Sequence, residues 1–504
     1  MDPLFEIDLN LAARGPREAS RTLFRQLRAA ILDGRLTPGA KLPPTRKSAA
    51  FFRVSRNTAV EVYERLLNEG YVVSRHGSGT YVAHRTKSSA RAPVQQAAPK
   101  PTTPPGQPLN EFWLRPEITA AMGFWQEDAG PRSGTERSSR TAHIDFRPAL
   151  IDARLFPFDV YRRVSAQQLR GLEKKPASHK SAQGNQGNYR LRAAITQHIA
   201  LTRAVVCQPD DIVVTSGAQQ AFDLLARILV TSGQTRVAIE DPGYPPMRVA
   251  FAAAGANLVP VPVDEEGLIV EQIPKDVRVI CVCPSHQFPL GVTMSARRRK
   301  ALVEFARTRG AVIVEDDYDG EFRYDGAALE ALRGNDAADV VFYVGTFSKC
   351  MLPALRLGFV VAPGWALRTL IAAKNCVDWH CSTPLQLGVA GFIAGGHLAR
   401  HVRRMRHIYK QRRQLLLTSI TKDLGKWLEP IPSFYGMHIA VIARTSVDLE
   451  RVAETLLTQH LKIHTLSRYY LWPPARPGLI FGYGAPDLAE IQRGLTTLRK
   501  ALLR

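Results

Sequence analysis

Residues 311–319 read AVIVEDDYD, and residues 340–349 read VVFYVGTFSK. Each is a short β-branched apolar run that stops abruptly at residues able to do chemistry. A strand apolar at successive positions has both faces buried, which an exposed hairpin does not need. Working outward, the same pattern recurs in DIVVTSG (211–217), RVAIEDPG (236–243) and VRVICVCPS (277–285). Helical periodicity fills the gaps, notably at 218–231 and 295–309. Buried strands alternating with helices predict an α/β domain with a mostly parallel central sheet. In such sheets ligand-binding groups gather beyond the carboxyl ends of the strands, where these runs place their polar residues.

Four of those ends suit four parts of one molecule. In Gly345-Thr346-Phe347-Ser348-Lys349, a lysine at a strand end can form a Schiff base while the Thr346 and Ser348 hydroxyls approach a phosphate. Arg356, in LRLGF, can fork onto that phosphate. Asp316 offers a carboxylate for a ring nitrogen, and the Tyr318 phenol stands two residues on. In VVTSGAQQAFDLL (213–225), a strand runs into Ser216-Gly217 and a helix starts at Ala218-Gln219, whose free N–H groups favour phosphate. Tyr244 follows the tight turn Asp241-Pro242-Gly243 and can stack on a ring. Taken singly, each has a plain alternative: a surface lysine, a solvated acidic loop, a turn. Together they fit a phosphorylated aromatic aldehyde with a ring nitrogen, pyridoxal 5'-phosphate (PLP).

Residues 1–87 have a different character. SRTLFRQLRAAIL (20–32) puts Leu23, Leu27, Ala30 and Ile31 on one helical face, and Gly34 and Pro38-Gly39 end it. A second helix is expected after Thr45 as N-cap, and a third from Ser55-Arg56-Asn57-Thr58 to Gly70, with Tyr63, Leu66 and Leu67 inward. YVVSRHGSGTYV (71–82) then reads as two short strands around a glycine-flanked tip. Three helices and a hairpin make a winged helix-turn-helix. A recognition helix enters the major groove by its N-terminus, which places Arg56, Asn57 and Thr58 toward bases or phosphates. Arg46 and Lys47 open the preceding helix, and Gly77 lets the wing backbone approach DNA closely. Residues 88–140, rich in Pro, Ala, Gln, Ser and Thr, form the expected flexible linker, with NEFWLRPEITAAMGFW (110–125) as a short piece able to dock. The remainder, 141–504, is the α/β domain.

The head motif, running from Pro38-Gly39 through Arg46, Val54-Ser55-Arg56-Asn57-Thr58 and Tyr63 to Gly77-Ser78-Gly79-Thr80-Tyr81-Val82, resembles the DNA-binding domain of the GntR superfamily. That resemblance implies DNA contacts from Arg46, Arg56, Thr58 and Gly77. The large region resembles the fold-type-I PLP-dependent aminotransferases. Pro284-Ser285-His286-Gln287-Phe288-Pro289-Leu290-Gly291-Val292-Thr293-Met294 further resembles the MocR group, in which such a domain follows a GntR-like head. The resemblance implies that Lys349 carries the internal aldimine, Asp316 the pyridinium, Tyr318 the ring hydroxyl, Tyr244 the stacking and Arg356 the phosphate. Either His286 or Gln287 stands where aminotransferases bond the ring hydroxyl. It also implies a homodimer. Two positions depart from the aminotransferase pattern: Ile480 occupies the place of a substrate-gripping arginine, with Arg476 out of register, and Ala182 the place of a tyrosine.

Composition narrows the functions. The hydrophobic and charged fractions, 45% and 22%, are those of a globular chain, and no apolar run approaches the ~20 residues of a membrane span. The first ten residues lack a secretory pattern, and six scattered cysteines suit a reducing cytoplasm. Cys281 and Cys283 alternate within an apolar run and predict core packing; no metal site is expected. Of the net charge of +22, residues 1–87 hold +7 (15 Lys/Arg against 8 Asp/Glu), so charge alone does not locate a polyanion surface. The expected function is a bacterial transcription regulator that binds a double-stranded DNA operator. Its effector is expected to be either PLP itself or a primary amine reacting with bound PLP. The alternatives are an active aminotransferase with an accessory head and a dimerisation module without cofactor.

Overall fold

A computed structural model of the chain describes residues 16–75, 77–83, 111–115, 118, 144–174, 184–324 and 330–503. The chain divides into two compact units, Met1–Pro108 and Leu109–Arg504. Most of the expected linker and the Ala182 position lie outside the described residues. Within the linker, Glu111–Leu114 forms one 3-10 turn and Ile118 is buried.

In the first unit, α1 (Pro16–Leu32), α2 (Thr45–Phe51) and α3 (Arg56–Asn68) stand with a three-stranded sheet ordered β1 (Lys41–Leu42), β3 (Gly79–Val82), β2 (Val72–Arg75). Leu23, Leu27, Leu36, Val62, Tyr63, Leu66 and Val82 form its core, with Ile31 packed at the margin. Two local expectations need correction. Leu67 is 42% exposed, because Tyr63 and Leu66 already fill the inward arc of α3. Thr45 begins α2 rather than capping it; the N-cap is Pro44, which makes no side-chain cap bond. Ser55 does cap α3, its hydroxyl accepting from Thr58 N–H at 3.1 Å.

In the second unit, an eight-stranded sheet runs β5 (Ile212–Thr215), β12 (Gly358–Val361), β11 (Val341–Thr346), β10 (Val312–Asp317), β9 (Val279–Val282), β6 (Arg236–Asp241), β7 (Asn257–Asp264), β8 (Gly267–Leu268). Pairings from β11 through β7 are parallel, while β12 runs antiparallel to both β11 and β5, and β8 to β7. The helices are α4 (Phe158–Lys174), α5 (Tyr189–Arg203), α6 (Ala218–Leu229), α7 (Pro245–Ala253), α8 (Ala296–Arg309), α9 (Gly364–Val377), α10 (Thr383–Ala394), α11 (His397–Ser419), α12 (Leu449–Thr458) and α13 (Leu488–Leu502). Alternation within single strands explains why the runs are apolar throughout. Ile313 packs with Ile280, Leu302 and Ala306 on one face, while Val314 packs with Phe222, Leu225 and Val344 on the other. Cys281 and Cys283 belong to that second face, and all six cysteines are free.

The C-terminal part adds an antiparallel sheet ordered β13 (Leu428–Pro430), β14 (His438–Ala443), β17 (Gly478–Gly482), β16 (His464–Thr465). A separate pair joins β4 (Ile144–Asp145) to β15 (Leu461–Lys462). Residues 144–152 are thereby stitched to the C-terminal part: Gly482 N–H donates to Phe146 O at 2.7 Å, and Asp152 meets Arg412 at 2.9 Å, both side chains buried. Among the described residues no helix is long and apolar enough to cross a membrane.

Candidate functional site

In the head, Arg46 and Lys47 are exposed on the first turn of α2, and Arg56 and Asn57 on the first turn of α3. Thr58 differs from the expectation of a DNA contact. It is buried, and its hydroxyl lies 2.8 Å from that of Ser55, so its side chain serves the cap. Gly77 has φ +68 with nothing within 4 Å of a Cβ built there, an open turn at the wing. Sequence reading missed two cations at the base of the wing: Arg75 and Lys41 lie over the Tyr81 ring at 4.9 and 5.8 Å. Their signal was the alternation of Arg75 and Tyr81 on facing strands, legible only once β2–β3 register was known.

In the second unit, the ends of β5, β6, β10 and β11 and the start of β12 surround a cavity of about 500 Å³. Ala218, Gln219, Tyr244, Asp316, Tyr318, Thr346, Ser348, Lys349 and Arg356 all line it, nine of the eleven residues expected around the cofactor. The period of two sorts the acids of β10. Glu315 accepts N–H bonds from Leu332 at 2.8 Å and Arg333 at 3.0 Å. Asp317 pairs with Arg203 at 2.5 Å and Tyr343 at 2.6 Å. Asp316 points the other way, to the cavity, with the Cys283 thiol 3.8 Å from its carboxylate. Burial, reinforced by Asp317 and Asp319, pushes the Asp316 carboxyl up to about 8.

Lys349 follows β11, whose Gly345 is obligatory because a Cβ there would sit 2.3 Å from the Phe359 ring. Its Nζ donates to Ala149 O at 2.7 Å. Burial pulls the Lys349 ammonium down to about 8, opposed by Asp319 and Asp316 and aided by Arg356. Thr346 Oγ1 lies 3.0 Å from Ser348 Oγ. Gly217, φ +81, precedes α6; a Cβ there would come within 3.1 Å of the Arg356 guanidinium, which donates to Ser216 O at 3.2 Å. Gly217 thus leaves room for Arg356 at the helix start rather than lining the cavity itself.

His286 stands behind Tyr318. Its Nδ1 is 2.8 Å from the Tyr318 hydroxyl and 3.0 Å from Asp319, and burial holds the ring down to about 3, so it is neutral. Gln287 is also turned away, donating to Pro242 O and Phe288 O, each at 2.8 Å. Phe288 instead lines the cavity, edge-on to Tyr244 at 5.4 Å. Arg147, Ala149 and Leu150 line it too and were not foreseen, having no pattern of their own. Arg147 is held by Asp145 at 2.6 Å. Ile480 is fully buried in β17, paired with Ala440 and His464, and is not among the lining residues.

Two separate segments of the chain match two families. Residues 19–82 match the bacterial regulatory proteins of the gntR family, and residues 157–474 match aminotransferase class I and II. A probable rhizopine catabolism regulatory protein MocR of Rhizobium meliloti is 34% identical over 489 residues, which cover 96% of this chain and 93% of that one. The chain belongs to the MocR family. Among other relatives of this MocR-type chain, the pyridoxine biosynthesis transcriptional regulator PdxR of Corynebacterium glutamicum is 29% identical over 484 residues, 96% of each chain. The crystal structure of LysN, an α-aminoadipate aminotransferase from Thermus thermophilus, is similar with a TM-score of 0.65 at 26% identity, over 74% of this chain and 97% of that one. MocR membership makes the chain a DNA-binding transcription regulator with an aminotransferase-like domain.

Proposed function

We propose that the large domain, residues 141–504, is a sensor that holds PLP on Lys349 and governs operator binding by the head, residues 1–87, through the linker 88–140. The effector is either PLP itself or a primary amine that reacts with it. The observation that carries this reading is the convergence of Lys349, Asp316 and Tyr318 on one cavity that also receives the start of α6 and Arg356. The residues fit the cofactor. Asp316 is a buried carboxylate with a thiol beside it, and a protonated ring nitrogen would relieve the cost of that burial. Gly217 keeps the start of α6 open beside Arg356, where Thr346, Ser348, Ala218 and Gln219 would share a phosphate. Tyr244 and Phe288, set edge to face, offer an aromatic wall for the ring.

When bound, PLP supplies an electrophilic aldehyde on an electron-withdrawing ring. The chain supplies the rest. Lys349, lowered toward neutrality by burial, presents an amine able to attack at neutral pH. Asp316 would hold the proton on the ring nitrogen. Burial pushes the Asp319 carboxyl up to about 8, and the neutral His286 ring, with Nδ1 3.0 Å from Asp319 and 2.8 Å from the Tyr318 hydroxyl, holds that phenol in place at the cavity. The proposed assembly is a cytoplasmic homodimer, which light scattering tests.

A working aminotransferase is the second reading, favoured by the same three residues. Against it, the described guanidiniums lining the cavity are Arg356 and Arg147, and Arg147 is already engaged by Asp145. Ile480 offers nothing to a substrate carboxylate. The deciding experiment follows visible absorbance and promoter binding of wild type and Lys349→Ala, with PLP and then with primary amines added. Wild type should be yellow and change its DNA affinity with one effector class, and the variant should do neither. An unchanged band in the variant removes Lys349 from its role. Turnover of amino and keto acids near ~1–10³ per second would make the protein an enzyme first.

A further inference from the structure

The net charge of the chain is +22, of which residues 1–87 hold +7, so most of the excess lies beyond the head. One helix concentrates it. In α11, HLARHVRRMRHIYKQRRQLLLTS, seven residues are Lys or Arg and none is Asp or Glu. Its buried side is Leu398, Val402, Met405, Tyr409 and Leu416. The inward-leaning arginines are used within the fold: Arg406 donates to Glu321 O, Arg412 pairs with Asp152, and Arg413 donates to Ser433 O. Arg400, Arg403 and Arg404 face outward with His407, at the i, i+3, i+4, i+7 spacing of one exposed stripe. Arg400 also donates to Gly395 O at 2.9 Å and lies 2.8 Å from His397 Nδ1, neither of which neutralises its charge.

Among the described residues no carboxylate lies within 4.0 Å of Arg400, Arg403 or Arg404. Some exposed arginines on other helices do have a carboxylate beside them, as Arg162 meets Asp159 at 2.7 Å, Arg227 meets Asp223 at 2.8 Å and Arg307 meets Glu304 at 2.6 Å. Among the described residues others, such as Arg170 and Arg190, do not. What sets α11 apart is three such arginines on one face of a helix without a single acid. Cations from neighbouring elements extend the stripe. Burial together with Arg400 and Arg163 of α4 holds the His397 imidazole below its usual range, and burial together with Arg323 and Arg403 does so for Arg406. Like charges at these spacings destabilise an isolated helix, so an unneutralised row calls for an anion from outside. From residue 400 to residue 407 the helix rises roughly 10 Å, the length of about three phosphates along one DNA strand.

We propose that the outward face of α11, centred on Arg400, Arg403 and Arg404, is a second DNA surface that takes the phosphate backbone of duplex beyond the segment read by the head. It reads no sequence; it adds charge-neutralising contacts. The inference is independent of the cofactor.

Because such contacts are indifferent to sequence, the test needs no known operator. The full chain and its Arg400→Gln/Arg403→Gln/Arg404→Gln variant are titrated against random-sequence duplexes of about 20 and about 60 base pairs by fluorescence anisotropy, from about 50 to about 200 mM salt. The variant should bind the long duplex about tenfold or more weakly, with a salt slope shallower by about 2–3, at roughly 0.9 per lost contact. Arg404→Gln alone should give about a third of that slope change, and thermal melting of both variants should match wild type. Polyglutamate is titrated in parallel. Identical salt slopes for wild type and triple variant on both duplexes would overturn the proposal. So would loss of polyglutamate binding with duplex binding intact, which would assign the face to an acidic protein.

Discussion

Capture of an aldehyde by Lys349 requires the neutral amine, and the fold sets how much of it exists. Burial takes the Lys349 ammonium from the ordinary 10.5 down to about 8, with Arg356 acting in the same direction and Asp319 and Asp316 against it. At pH 7 that leaves about one amine in ten neutral, where an unshifted lysine would leave about one in three thousand. The difference is about 300-fold in reactive species. The sign is definite: below about pH 8 the capture rate should fall about tenfold per pH unit, and above it the profile should flatten. An unshifted lysine would keep climbing to about pH 10.5. The assay is stopped-flow mixing of cofactor-free protein with PLP from about pH 6 to about pH 10, following the visible band. Arg356→Gln removes a cation that disfavours the ammonium, so its bend should move to higher pH. A wild-type rate that climbs tenfold per unit through pH 9.5 would refute the reasoning about burial.

Asp316→Asn keeps the shape of the β10 end but removes the charge facing the cavity; cofactor retention in equilibrium dialysis should weaken by about tenfold or more, as for a lost buried ion pair. Gly217→Val forces a side chain into φ +81 and against Arg356, and should weaken PLP binding while leaving the visible band position unchanged at saturation. Arg56→Ala should cost ~1–3 kcal/mol of operator affinity in a footprint, whereas Thr58→Val should lower the head's melting temperature first, since its hydroxyl serves the Ser55 cap. Arg412→Leu leaves the buried Asp152 carboxylate with Arg154 alone and should cost ~1.5–3 kcal/mol in urea unfolding, as for a lost hydrogen bond to a charged group, with a loss under ~0.5 kcal/mol counting against the pair.

The strands and their chemical ends were legible because a doubly buried strand needs apolar residues at every position, and the first polar residue marks the sheet edge. That is why the sequence alone places Asp316, Tyr318, Tyr244 and Lys349 on one rim, the rim they line in the fold. Reading failed where direction is decided by a turn. His286, Gln287 and Phe288 are consecutive, yet only Phe288 reaches the cavity, because His286 is held by Asp319 and Gln287 by the carbonyls of Pro242 and Phe288. It failed again where a residue's type suits two tasks: Thr58 is a reasonable DNA contact and an equally good capping partner. Arg147, Ala149 and Leu150 had no periodicity to announce them, since they reach the cavity only because β4 pairs with β15, far along the chain. Leu67 looked apolar enough for the core, but α3 had no inward arc left for it.

Ala149, at φ +62, turns its carbonyl onto the Lys349 amine at 2.7 Å. The nitrogen that would take the cofactor is therefore also a fastening for the backbone that comes directly after the expected tether. An amine committed covalently has fewer N–H directions to give, so occupancy of the cavity and retention of this carbonyl draw on one atom. Residues 144–152 are sewn at one side to the C-terminal sheet through Phe146 and at the other to α11 through Asp152, and between those stitches the carbonyl is a latch. A group placed on Lys349 would thus compete with the Ala149 carbonyl for one nitrogen, so the backbone at 149 is the first to register it, without a dedicated relay of side chains.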